Sequence, residues 1–154
     1  MVKVLFVCYG NICRSPMAEF IFNYLTEKRG INNLMCAESA ATSSEEVGNP
    51  VHFKTKKILD NMGIDCSAKH AKKIKFSDYK NFDYIIVMDD QNYRDVMRTW
   101  PCDSDKKIFK LLSFCGSNAD IADPWFTDDF EKTKEEILLG TNGLIDYILK
   151  DKYK

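Results

Sequence analysis

Residues 2–8, Val-Lys-Val-Leu-Phe-Val-Cys, are an apolar, β-branched run that stops at the turn-forming Tyr9-Gly10-Asn11. A run of this kind bounded by a turn signal predicts a strand buried on both faces. Beyond the turn the period changes: Met17, Phe20, Ile21, Tyr24 and Leu25 recur at helical spacing, opened by Ser15-Pro16 and closed by Gly30. A doubly covered strand that passes through a tight loop into a helix is the opening unit of an α/β fold.

The rest of the chain keeps the alternation. Residues 34–38 read as a second strand and residues 39–50 as a polar loop. Val51, Thr55, Ile58, Leu59 and Met62 then make one helical face closed by Gly63. Residues 84–88, Tyr-Ile-Ile-Val-Met, are the strongest central-strand candidate, and Tyr93, Val96, Met97 and Trp100 form a helical stripe that Pro101 stops. Residues 108–112 supply a fourth strand. A loop through Asp123-Pro124-Trp125 leads to a long helix carrying Phe130, Ile137, Leu138, Leu144, Ile145 and Ile148, which Gly140 and Gly143 are expected to weaken and bend. With no repeat or linker, the pattern predicts one domain over residues 1–154 built on a parallel sheet. Ligands of such sheets bind at the carboxyl ends of the strands, and Cys8 lies at one such end.

Composition excludes several classes of function. A net charge of −1 and a pI near 6.1 give no electrostatic reason to expect nucleic acid or an anionic membrane as partner. The apolar stretch after Met1-Val2-Lys3 is too short for a signal sequence or a membrane span, so a cytoplasmic protein with reduced thiols is expected. The six cysteines, at 8, 13, 36, 66, 102 and 115, contain no Cys-x-x-Cys pair, and His52 and His70 stand alone, so no metal site is expected.

The segment Cys8-Tyr9-Gly10-Asn11-Ile12-Cys13-Arg14-Ser15 puts a cysteine at the strand end and an arginine at the helix start. A short loop wrapped over a helix N-terminus turns backbone N–H groups inward and makes a nest for a tetrahedral dianion, which the helix dipole also favours. Gly10 permits the turn, and Tyr9 and Ile12 fall at its rim. Arg14 can hold two phosphate oxygens bidentately, and its charge together with the nest favours thiolate at Cys8. The Ser15 hydroxyl is placed to hydrogen-bond that sulfur. The spacing alone is a weak signal among six cysteines and four arginines; the strand-loop-helix setting makes it specific.

With these residues in hand, VLFVCYGNICRSPMAE resembles the opening of the low-molecular-weight protein tyrosine phosphatases. ADPW resembles that family's acid loop, and VMD falls between them in the same order, so the likeness spans essentially the whole chain. The resemblance implies a four-stranded parallel sheet with helices on both faces, a flavodoxin-like phosphatase fold. It also implies hydrolysis through a phosphocysteine without metal or cofactor, and phosphotyrosine proteins as substrates. Carried over by position, Cys8 is the nucleophile, Arg14 the phosphate clamp and Asp123 the general acid. Asn11, Ser15 and Ser39 resemble the residues that hold the loop in shape.

Asp123 also suits the role chemically, because a phenolate leaving group gains from protonation and Pro124 stiffens the adjacent backbone. Trp125 and Phe126 supply an apolar wall for an aryl ring. Cys13 is close enough in sequence to Cys8 for a reversible disulfide, a redox role that the resemblance supports; the other four cysteines read as packing residues. Met88-Asp89-Asp90 reads as a helix start, and residues 69–73 as a solvated basic face.

The chain departs from the pattern in three places. Many members have an aromatic residue on the pocket wall just after the stretch 39–43; here the sequence is Ser44-Glu45-Glu46, which makes Glu45 the candidate wall residue. There it would disfavour acidic residues flanking phosphotyrosine. Lys69 stands where some relatives have a loop-supporting histidine, and His52-Phe53-Lys54 replaces an Asp-Pro-Arg-like stretch. The rival readings are an arsenate reductase of similar fold, a sugar-phosphotransferase subunit and an inactive phosphotyrosine-binding module. The first lacks its expected relay cysteines here, the second does not call for Arg14 with Asp123, and the third would have lost the nucleophile or the acid. Oligomeric state is not legible.

Overall fold

The computed structural model describes residues 1–153; Lys154, the last residue of the expected domain, lies outside the described residues. Four parallel strands, β1 (Val2–Cys8), β2 (Met35–Ala41), β3 (Tyr84–Val87) and β4 (Ile108–Lys110), form one sheet in the order β2-β1-β3-β4. Parallel neighbours require crossovers, and the helices supply them. They are α1 (Arg14–Lys28), α2 (Phe53–Asn61), α3 (Asp78–Asn81), α4 (Asp90–Thr99), α5 (Pro124–Thr127) and α6 (Phe130–Lys152).

Side chains of adjacent strand residues point to opposite faces, so the apolar run of β1 feeds two cores. Val4, Phe6 and Cys8 face α1, α2 and α6 through Met17, Ile21, Phe22, Leu59, Ile137 and Leu144. Leu5 and Val7, with Ile85 and Val87 of β3, face Val96 and Trp100 of the α4 segment. Helices therefore cover both sides of the sheet, as the doubly apolar β1 required. Phe6 and Phe22 meet edge-to-face at 5.8 Å and are fully buried; truncating either to alanine would cost about 3–5 kcal/mol.

Two local expectations are corrected. β2 is not confined to residues 34–38; it runs on to Ala41, pairing Ser39, Ala40 and Ala41 with Phe6, Val7 and Cys8. Ser39 looked like loop because it is polar, yet its buried hydroxyl is fully hydrogen-bonded, which removes the penalty. The fourth strand ends at Lys110, and Leu111–Cys115 form a 3₁₀ turn; a short apolar run does not distinguish the two. α6 runs from Phe130 to Lys152 through Gly140 and Gly143. A Cβ at Gly140 would lie 2.5 Å from Leu111 Cγ, and one at Gly143 would lie 2.7 Å from the Phe114 carbonyl oxygen. The glycines let the 3₁₀ turn seat directly on the helix. Among the described residues no helix is long and apolar enough to cross a membrane.

Candidate active site

Because the chain turns from β2 back to the other side of β1 at β3, a crevice opens at the carboxyl ends of β1 and β3. Residues 8–13 fill its floor. The outward bonds of the loop fix its orientation: Cys8 O accepts from Thr42 N, Tyr9 O from Ser43 N, Ile12 O from His52 N and Cys13 O from Met17 N. In a planar trans peptide the next residue's N–H points the opposite way, so the amides of Tyr9, Gly10, Cys13 and Arg14 turn inward. No side chain caps α1, which leaves its first-turn amides free to face an anion.

A directed hydrogen-bond chain supports this loop. Asn11 has φ 61°, a left-handed conformation that asparagine tolerates better than most residues. Its Nδ2 donates to Ser15 Oγ at 2.7 Å and to Ser39 Oγ at 2.9 Å, while its Oδ1 accepts from Lys72 N. Ser15, having accepted from Asn11, has its proton free for Cys8 Sγ at 3.0 Å. The Asn11 amide also approaches that sulfur, at 3.4 Å. Ser39 passes its proton to Glu19 Oε1 at 2.5 Å, and Lys69 closes the chain by donating to Ser39 O at 2.8 Å and pairing with Glu19 at 3.2 Å. The three polar residues expected to shape the loop are thus in mutual contact.

Of residues 69–73, His70, Lys72 and Lys73 are exposed as a solvated face would be, and the expectation fails at Lys69 and Ala71. Lys69 is turned inward, and Lys72 O and Ala41 O accept backbone bonds that lay this segment along the end of β2. Sequence alone hid Glu19, a charge amid a helical pattern whose partner is fifty residues away.

Arg14 is buried, 2% exposed, and held by Asp89 Oδ2 at 2.6 Å and the Ile121 carbonyl at 2.8 Å, both on Nη1. Nη2 lies 3.5 Å from Asp123 Oδ2. Burial opposes the guanidinium charge, but Cys8, Asp89 and Asp123 together outweigh it and raise the pKa. Asp89 was legible only as a helix start. It does cap α4, accepting from Asn92 N, but its other oxygen holds the arginine. Capping is local and readable; a contact across 75 residues is not.

Asp123 caps α5 by accepting from Trp125 N, with Pro124 at the first helical position, so the carboxylate stands over the crevice at a fixed height. The crevice, about 180 Å³, is lined by Cys8, Tyr9, Gly10, Asn11, Ile12, Cys13, Glu45, Glu46, Asp123, Trp125 and Phe126. Trp125 and Phe126 are both exposed within that lining. Cys13 is buried, and desolvation, followed by the neighbouring Cys8, pushes its thiol up to about 12. Among the described residues no three His, Cys, Asp or Glu side chains are arranged to hold a metal.

A thiol at the floor of an amide nest, beside a clamped arginine and beneath a carboxylate, defines an anion-handling cysteine site on a doubly wound α/β fold. A family described as low molecular weight phosphotyrosine protein phosphatase matches residues 3–154. The low molecular weight protein-tyrosine-phosphatase YfkJ of Bacillus subtilis is 38% identical over 154 residues, covering 99% of both chains. Its crystal structure aligns with a TM-score of 0.94 over 99% of this chain and 97% of that one. PtpA of Staphylococcus aureus, also a low molecular weight protein-tyrosine-phosphatase, is 38% identical over 152 residues, 98% of this chain and 96% of that protein. The low molecular weight protein tyrosine phosphatase SP-PTP of Streptococcus pyogenes is 37% identical, with a TM-score of 0.85 over 100% of this chain and 95% of that one. This chain belongs to the low molecular weight phosphotyrosine protein phosphatase family.

Proposed function

We propose that this protein hydrolyses phosphotyrosine in proteins through a phosphocysteine on Cys8. The observation that carries the reading is Cys8 Sγ at the base of inward-facing amides with the Arg14 guanidinium beside it. The phosphoryl oxygens bind the loop amides of residues 9–15 and the free edge of Arg14, whose other edge Asp89 already fixes. The Cys8 thiolate attacks phosphorus, the P–O bond to the phenol breaks, and Asp123 gives its proton to the leaving oxygen. Asp123, now a carboxylate, takes a proton from water as that water attacks the phosphocysteine, releasing phosphate and restoring the thiolate. Ser15 donates to the sulfur as it leaves.

Trp125 and Phe126 flank the aryl ring, with Glu45 in the same lining. Cys13 shields Cys8 from irreversible oxidation by trapping it as a disulfide, and a reducing, cytoplasmic setting belongs to the same reading. The test is turnover of p-nitrophenyl phosphate and a phosphotyrosine peptide in EDTA, set against arsenate reduction. Wild type should hydrolyse both esters, and Cys8→Ser neither, with its circular dichroism unchanged. Turnover retained by Cys8→Ser would overturn the nucleophile assignment, and arsenate reduction without ester hydrolysis would favour the rival enzyme.

A further inference from the structure

The lining of the crevice contains carboxylates but no lysine or arginine among the described residues. Trp125 and Phe126, uncharged and exposed, share it with Glu45 and Glu46, and with Asp123, which Arg14 approaches at 3.5 Å. Among the described residues neither glutamate forms an ion pair. Asn49 Nδ2 donates to Glu46 Oε2 at 2.6 Å, which orients that carboxylate without neutralising it. Glu46 lies against the phosphate loop itself, since a Cβ built on Gly10 would be 3.3 Å from its Cγ. The Glu45 carboxylate faces the Tyr9 hydroxyl and, as the leading cause, raises that phenol's pKa.

These carboxylates are also held in place. The turn that carries them is tied down before by Ser43, whose N and Oγ both donate to Tyr9 O, and after by Gly48 N, which donates to Ala71 O at 2.8 Å. Among the described residues Arg14 is the cation beneath the crevice floor, and it is buried and paired with Asp89 at 2.6 Å and Asp123 at 3.5 Å. Lys54, which shares a neighbouring depression with Trp125, is paired with Asp128. A peptide lying across the mouth therefore meets two negative charges that no ion pair among the described residues neutralises.

We infer that Glu45 and Glu46 make this site selective for phosphotyrosine flanked by lysine or arginine and unfavourable to phosphotyrosine flanked by aspartate or glutamate. The inference rests on the phosphotyrosine reading above and adds to it the chemistry of the surrounding peptide. Solvent-exposed charges a few ångströms apart interact only weakly in water, so the selection is moderate and screened by salt. It acts on capture of the peptide, not on the bond broken, and appears in kcat/KM.

The test compares kcat/KM on two phosphotyrosine peptides of equal length, one with flanking Arg and Lys, the other with Asp and Glu. p-Nitrophenyl phosphate serves as the substrate without flanks. At low ionic strength the wild type should prefer the basic peptide by roughly 5-fold or more, and this ratio should shrink towards 1 in about 0.5 M salt. Glu45→Gln/Glu46→Gln should lower the ratio to within about 2-fold of 1, and Glu45→Lys should lower it further or reverse it. A wild-type ratio near 1, or one that the charge variants leave unaltered, overturns the inference while the phosphatase reading stands. Loss of turnover on all three substrates by the wild type would instead bring down that reading, and the selectivity with it.

Discussion

Lys69 Nζ lies 3.2 Å from Glu19 Oε1 with both side chains largely shielded, at 10% and 14% exposure, and the hydrogen-bond chain that starts there ends on the nucleophile's sulfur. Burial lowers the lysine pKa, and Glu19 opposes that shift. Removing one partner of such a pair leaves the other charge uncompensated, whereas removing both does not.

Lys69→Ala is therefore expected to cost about 3 kcal/mol of stability. It should also lower kcat by roughly 10-fold or more through a looser phosphate loop. Lys69→Met combined with Glu19→Gln should recover much of the stability. Urea denaturation and steady-state kinetics of the single and double variants measure both effects; equal stability of Lys69→Ala and wild type would show that the pair does not support the loop.

Asp123→Ala should separate substrates by leaving group. Phenyl phosphate, whose phenolate needs a proton, should lose about 100-fold or more in kcat, and p-nitrophenyl phosphate distinctly less. Rates across a series of substituted phenyl phosphates give the slope. Parallel losses at every leaving-group pKa would take Asp123 out of the acid role.

Brief peroxide should convert the Cys8 thiolate to sulfenic acid, after which the Cys13 thiol attacks that sulfur and water leaves, giving a disulfide that added thiol reduces. With its own thiol pushed up to about 12, Cys13 is the second sulfur to react, not the first. Peptide mapping should find the two joined, and Cys13→Ser should recover less activity than wild type after the same exposure. Equal recovery would remove the protective role.

His52 joins the phosphate loop to the acid loop. Its backbone N–H donates to Ile12 O, and its Nδ1 accepts from Lys54 N as the cap of α2. Its ring stacks on Phe53 and Phe130 and meets Trp125 edge-on at 5.8 Å. Burial first, then the Lys54 charge, lowers its pKa; Asp128 and Glu46 oppose this. Since the unfolded chain titrates near about 6.5, it takes up the proton first as pH falls. The stabilising contribution is complete above that value and is lost from there down to the folded pKa. Melting temperature between about pH 7.5 and 5 should fall more steeply for wild type than for His52→Asn, which keeps a cap without titrating. Identical slopes would exclude the effect.

What sequence made legible is what is local. The β1 run and the loop from Cys8 to the start of α1 each declare themselves within a few residues, and the structure has both in the form expected; Asp123-Pro124-Trp125, read as loop, instead opens the short helix α5 with Asp123 as its cap. Hidden from it were contacts closed by topology: Asp89 on Arg14, Glu19 on Lys69, and the Ile121 carbonyl, a backbone group with no side-chain signature at all. Ser39 was identified by resemblance and yet assigned to a loop, because polarity in sequence does not reveal whether a buried hydroxyl has partners.

Two absent methyl groups set the address of the acid. Where Gly140 and Gly143 let Leu111 and Phe114 sink onto α6, the chain gains a fixed point of departure for residues 116–123. Ser117 N returns a bond to Leu112 O at that point, and Ile121 is pinned at the far end by its bonds to Met88 and Arg14. A side chain forced in at 140 or 143 would lift the seat of this span and tilt everything suspended from it. Damage to the chemistry can thus originate on the outer helix, in a residue that touches neither phosphate nor sulfur, and it would register as a misdirected proton before it registered as an unfolded protein.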